Sequence, residues 1–168
     1  SKTYIYRMTI DDVPSVFDRK YTFHCFQIPD KKLMQQAALL LLGKHDFRNF
    51  SSAKKSKNTE REIYDIQIYG DTEEMQILIH ADDFLHNMAR FIVSILLDIG
   101  FGTRKREDIE DIFSGIQYPS DPCDPKGLYL QEITYGQSIF EAYLAGTFSA
   151  SIKLTSEAFP VPAYLKAG

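Results

Sequence analysis

Apolar and polar positions alternate from Thr3 to Ile10, with Tyr4, Tyr6 and Met8 on one side and Thr3, Ile5 and Arg7 on the other, which predicts a β-strand. Asp11-Asp12-Val13-Pro14 breaks the pattern, and a second extended stretch, Tyr21 to Ile28, runs into Pro29. Asp30 is placed to cap a helix reaching Leu42, with Leu33, Met34, Ala37, Ala38, Leu40, Leu41 and Leu42 as its broad apolar face and Gly43 as its stop. A hairpin follows: Ile63, Ile66 and Ile68 in one strand, Met75, Ile77 and Ile79 in the next, and Gly70-Asp71 at the turn. A second helix is predicted from about Asp82 to Ile99, stopped by Gly100, and a shorter one from about Arg106 to Ser114. A connector with Pro119, Pro122 and Pro125 leads to a strand at Gly127–Tyr135, and a weak helical pattern covers Ile139 to Leu144. Strands and helices interleaved around an antiparallel hairpin predict an α+β fold, a mixed or antiparallel sheet with helices mainly on one face.

The chain has 168 residues, enough for one domain with a real core, and its 44% hydrophobic and 25% charged residues are close to the globular average. Cys25 and Cys123 are far apart and form no CxxC pair, which fits two free thiols in a reducing, cytoplasmic setting. The longest apolar run, Phe91 to Gly100, is broken by Ser94 and Asp98 and is shorter than the ~18 residues a membrane helix needs. Ser1-Lys2-Thr3-Tyr4 runs directly into a strand, as expected of a cut into a longer chain.

Net charge is −4, but it is segregated. Lys44, Arg48, Lys54, Lys55, Lys57 and Arg61 face only Asp46 and Glu60 within residues 44–61, a local balance of +4 against −8 elsewhere. Screening confines each field to about 8–10 Å, so this segment can contact phosphates whatever the total charge. A solvated loop explains the same run of charge.

The second helix carries the sharpest signal. Phe84, Met88, Phe91, Ile92, Ile95 and Ile99 recur at helical spacing, and Val93, Leu96 and Leu97 widen the apolar surface until the helix reads as buried. Asp83, His86, Asn87, Arg90 and Ser94 form a polar stripe on the same predicted helix. Arg90 lies between Ala89 and Phe91-Ile92-Val93, where a guanidinium costs several kcal/mol unless an anion meets it. Three answers fit: an internal ion pair with Asp82, Asp83 or Asp98, snorkelling to the surface, or an anion from a substrate or another part of the protein. His80 and His86 bracket Asp82 and Asp83, but their spacing matches no helical ligand pair, so no metal is expected. No GxSxG, P-loop or GxGxxG occurs.

Four elements in order then resemble the tRNA pseudouridine synthase A family. Lys2-Thr3-Tyr4-Ile5-Tyr6 resembles its K-T-Y-x-Y strand, and Gly43 to Phe50 its G-x-H-D-F-x-x-F element. Ala81 to Val93 resembles its A-D-x-F-L-x-x-M-V-R-x-I-V helix, and Pro125 to Leu130 its third element. Ala89 and Ser94 stand where the family usually has Val and Gly. The resemblance covers about residues 2–135, implying a pseudouridine synthase-like carboxyl-terminal domain over 1–135 and leaving 136–168 as an unassigned extension. It implies catalytic roles for Tyr4, against the target base or in proton transfer, for Arg90, paired with the catalytic aspartate, and for Leu128, under the uracil pocket. It places Lys44, His45, Arg48 and the cations through Lys54, Lys55, Lys57 and Arg61 in a region that contacts RNA.

The family's nucleophile belongs to an upstream R-T-D-x-G-V-H-type motif that this sequence lacks. The expectation is therefore an RNA-facing half of a uridine-isomerising enzyme, inactive alone, needing no cofactor, and homodimeric on tRNA when complete. Three other readings compete: a stand-alone RNA-binding module using residues 44–61, a small interaction domain in which Arg90 is merely ion-paired, and a metal hydrolase built on His80 and His86.

Overall fold

A computed structural model describes residues 1–10, 22–52 and 58–134. Ser1–Thr134 form one compact unit. The cations Lys54, Lys55 and Lys57, the predicted Ile139–Leu144 helix and the 136–168 extension lie outside the described residues.

Six strands form one sheet. β1 (Lys2–Ile10) lies beside β5 (Glu74–Ala81), followed outward by β4 (Glu60–Gly70) and β3 (Gly43–Asp46). On its other side β1 is shared end to end by two strands. Short β2 (Phe23–Cys25) runs parallel along Met8–Ile10, and β6 (Leu128–Ile133) runs antiparallel along Lys2–Tyr6. The other pairings are antiparallel, so the sheet is mixed and the α+β expectation holds.

Period-two burial on β5 follows from its sequence: Met75, Ile77, Ile79 and Ala81 are buried while the residues between them are partly exposed. Tyr6, Met8 and Ile10 continue this face on β1. Against it lie α1 (Lys31–Ala38) and α2 (Met88–Gly100), which contribute Met34, Ala37, Met88, Ile92 and Ile95 at 0% exposure. Each of these Met and Ile side chains withdrawn from water contributes about 1.5–3 kcal/mol before entropy is counted. Asp30 caps α1 as expected, accepting from the amides of Lys32 and Leu33, while its own amide donates to the carbonyl of Gly100 at 2.8 Å. The start of α1 is thereby fastened to the end of α2.

Three boundaries differ from the sequence pattern. The first helix gives way at Ala38 to a 3-10 turn, Leu39–Leu41, and Leu33, predicted on the apolar face, stays exposed rather than joining the core. Gly43, at φ +88°, starts β3 inside the segment that charge alone marks as loop. The second helix begins at Met88, not Asp82, because Asp82 finishes the sheet instead: its carboxylate accepts from the amide of Glu62 at 2.9 Å and from that of Asp83. A six-residue loop, 82–87, therefore separates β5 from α2, and α3 (Asp108–Phe113) follows them.

Ile77→Ala is expected to destabilise the fold by about 2–5 kcal/mol, as buried truncations do, and Leu39→Ala to change it by less than ~0.5 kcal/mol. Denaturant unfolding of the two variants checks the contrast.

Candidate active site at the start of the second helix

Four-residue spacing puts Arg90, Ser94 and Asp98 on one face of α2, and the proline-rich connector before β6 runs antiparallel along them. Asp98 accepts from the Ser120 hydroxyl at 2.5 Å and is 3.5 Å from Arg104. One turn earlier Ser94 donates to the carbonyl of Asp121 at 2.8 Å. One turn earlier again, Arg90 Nε donates to the carbonyl of Cys123 at 2.6 Å and an Nη to that of Pro122 at 3.5 Å, while the Cys123 amide donates back to the Arg90 carbonyl at 3.3 Å. A proline has no amide hydrogen, so such a connector offers mainly carbonyls, and the helix supplies the donors.

The third contact of the guanidinium is to Asn87, whose Oδ1 accepts from Arg90 Nη1 at 2.9 Å. Every hydrogen-bond partner of Arg90 among the described residues is thus neutral. The acids considered for an internal ion pair are engaged elsewhere: Asp82 on backbone amides, Asp83 on Lys2 at 2.5 Å, and Asp98 on Arg104 and Ser120. Among the described residues no acid forms an ion pair with Arg90, which overturns that alternative for all three. Nor does Arg90 escape to the surface, since it is only partly exposed. Carbonyl dipoles offset part of its desolvation and leave its full positive charge uncompensated.

β1 and β6 bring the other predicted residues to the same end. Tyr6, at 0% exposure, donates to the carbonyl of Asp124 at 2.9 Å, one residue beyond the Arg90 acceptor. Leu128 stands opposite Tyr6 in register. Just before it, Gly127 is pressed so close that a Cβ there meets the Tyr6 ring and the Arg7 carbonyl at 2.7 Å. Tyr4 shares the Tyr6 face of β1 and meets Phe84 edge-on at 4.9 Å between ring centroids. Beside Tyr4, β6 slips register, leaving Gln131 opposite no residue of β1. Such bulges re-aim neighbouring side chains.

Burial governs the protonation of this region. It pushes the Tyr6 hydroxyl well above its ordinary range, and it raises the Cys123 thiol to about 11 despite opposing contributions from Tyr6 and Arg90. Desolvation is the largest influence on Asp83 and works against its charge, yet the hydrogen bonds from Lys2 and the Phe84 amide, together with the Lys2 and Arg61 charges, outweigh it and keep the carboxyl below the usual range.

Among the predicted RNA contacts, Lys44 and His45 lie on β3, separated from β1 by β4 and β5. Lys44 is 3.4 Å from Glu60, and Arg48 is 4.0 Å from Asp46. His45 meets the Leu42 carbonyl through Nε2 at 2.8 Å and stacks on Phe113 at 4.6 Å, and Phe47 and Phe50 are fully buried. Arg61 bonds the carbonyls of Asn58 and Glu60 through Nη1, while its Nε is buried without a partner. His80 packs against Tyr64, and His86 is an exposed loop residue. Sequence reasoning missed Tyr6 and the anchoring by Asp98. Four-residue spacing from Arg90 through Ser94 was the available signal for Asp98.

The model of the tRNA pseudouridine synthase family matches residues 37–136. A curated relative from Bacillus cereus, tRNA pseudouridine synthase A 2, is 36% identical over 138 residues, covering 80% of this chain and 56% of the relative. The tRNA pseudouridine synthase A of Oceanobacillus iheyensis is 35% identical over 141 residues, with 82% and 56% covered, and that of Halalkalibacterium halodurans 38% over 115 residues, with 68% and 44% covered. The chain spans about half the length of the curated relatives it matches.

With its thiol at about 11, Cys123 is expected to react with iodoacetamide at pH 8 at least ~100-fold more slowly in the folded chain than in urea, because thiolate is the reactive form. Mass-spectrometric labelling rates measure this.

Proposed function

The chain belongs to the tRNA pseudouridine synthase A family, and from that premise we propose that it forms the carboxyl-terminal, RNA-facing half of an enzyme converting uridine to pseudouridine in tRNA. The observation carrying this reading is the Arg90 guanidinium: partly buried, oriented by three neutral acceptors and paired with no acid among the described residues. An arginine cannot shed its charge, so the site is built to receive an anion.

The anion is the catalytic carboxylate. The sequence contains no Arg-Thr-Asp motif, so the nucleophile comes from outside these 168 residues. Isomerisation requires the glycosidic bond to break, the uracil to turn and a carbon–carbon bond to form, and the base must leave its stack first. Arg90 keeps the carboxylate ionised in a desolvated cleft and stabilises charge as it develops. Tyr4 lies against the base and Leu128 beneath it, on neighbouring strands. Lys44, His45, Arg48, Lys54, Lys55, Lys57 and Arg61 contribute to RNA binding, through a basic segment whose charge acts locally. Residues 1–135 constitute the carboxyl-terminal domain of such a synthase and 136–168 an extension of no assigned role. The complete enzyme works in the cytoplasm, as a homodimer on tRNA, without metal or organic cofactor.

Arg90→Leu in the complete enzyme is expected to lower kcat for pseudouridine formation by roughly 10²–10³-fold or more while the protein still unfolds cooperatively. Parent-level activity from that variant on unmodified tRNA would end the proposal. The 168-residue chain by itself is expected to form no pseudouridine, and turnover by it would show that the nucleophile lies within.

A further inference from the structure

Asn87 is the one described non-glycine residue in the left-handed region, at φ +63°. Asparagine tolerates this conformation better than most residues, yet it is still a constrained place for a side chain. It stands immediately before α2 without capping it, because its side chain is turned to other partners. Oδ1 accepts from Arg90 Nη1 at 2.9 Å, and Nδ2 donates to the Ser52 hydroxyl at 3.0 Å. The backbone around it is fastened as well. The Ser51 hydroxyl and the Ser52 amide both reach the His86 carbonyl at 3.1 Å, the Met88 amide bonds Leu85, and the Asn87 carbonyl accepts from Phe91.

We propose that Asn87 is a positioning residue for the isomerisation, its amide bridging Ser52 to Arg90 and aiming the guanidinium at the catalytic carboxylate; this rests on the role assigned to Arg90 above. The geometry divides the work between two sides. Carbonyls of the connector hold Nε and one Nη, fixing where the guanidinium sits. Asn87 holds the other Nη, fixing the rotation of its plane. An asparagine does this without neutralising the cation, whereas an aspartate at the same place would pair with Arg90 and compete with the incoming carboxylate. Ser52 in turn settles which end of the amide faces Arg90, since its hydroxyl takes the amide nitrogen.

Asn87→Gly removes the bridge and keeps the left-handed backbone available, so the loop retains its path. In the complete enzyme this variant is expected to lower kcat by roughly 10–100-fold, the scale set by small misplacements of catalytic groups, with KM for tRNA within about 2-fold. Asn87→Asp is expected to lose at least as much, and Ser52→Ala about 3-fold. A second readout needs no turnover: in the 168-residue chain, nitrogen-15 NMR of the arginine guanidinium should show slowed rotation of the Arg90 Nη groups, released in Asn87→Gly. An Asn87→Gly enzyme with parent kcat, or unrestrained Arg90 Nη groups in the parent chain, overturns the inference while Arg90→Leu remains inactive. Full activity in Arg90→Leu overturns both the inference and the role on which it rests.

Discussion

A guanidinium cannot be neutralised by giving up its proton, so a protein that buries one must surround it with acceptors or with an anion. Here the described residues supply neutral acceptors alone. Around Arg90 the carbonyls of Pro122 and Cys123 and the amide oxygen of Asn87 converge from two separate segments, and the three nearest acids in the sequence are held by other groups. Much of the local architecture follows from this. The connector has to track α2 so that its carbonyls face the helix, and β6 then has to begin where Gly127 passes over the Tyr6 ring. Leu128 takes its register against Tyr6 as a result.

The framework of the sheet was legible because its residues obey a single periodicity. Met75, Ile77 and Ile79 alternate without exception, and β5 is found there with its facing strands on either side. Burial of α2 was legible for the same reason, since Ile92, Val93, Ile95 and Leu96 leave only the narrow stripe of Arg90, Ser94 and Asp98 polar. What periodicity could not locate was where that helix starts. Phe84 fits the helical spacing as well as Met88 does, and Asp82 resembles a cap. Long-range partners decided the matter: Glu62 claims the Asp82 carboxylate, Lys2 that of Asp83, and Tyr4 the ring of Phe84. These residues are distant in sequence and carry no local signature.

The candidate site divides in the same way. Arg90 announced itself through the mismatch between its charge and its neighbours. The competing ion pairs could be removed only by seeing each acid occupied. Ser94, which stands where the family usually has glycine, turns out to donate to the Asp121 carbonyl, so the departure adds a fastening of the connector rather than a gap in packing. The resemblance implies an RNA contact for His45, and in the fold its ring is stacked on Phe113 while its Nε2 meets the Leu42 carbonyl, in the same segment as Lys44 and Arg48.

Pro119, Pro122 and Pro125 punctuate the segment that lines Arg90. Each ring fixes φ near −65° in the unfolded chain as well as in the folded one. Those residues therefore surrender less conformational freedom on folding than others in their place, by about 0.4–1 kcal/mol apiece where the native angles suit them. A row of carbonyls is thus partly restricted even in the unfolded chain, and the orientation of the guanidinium is secured in part by stiffness that belongs to the disordered state.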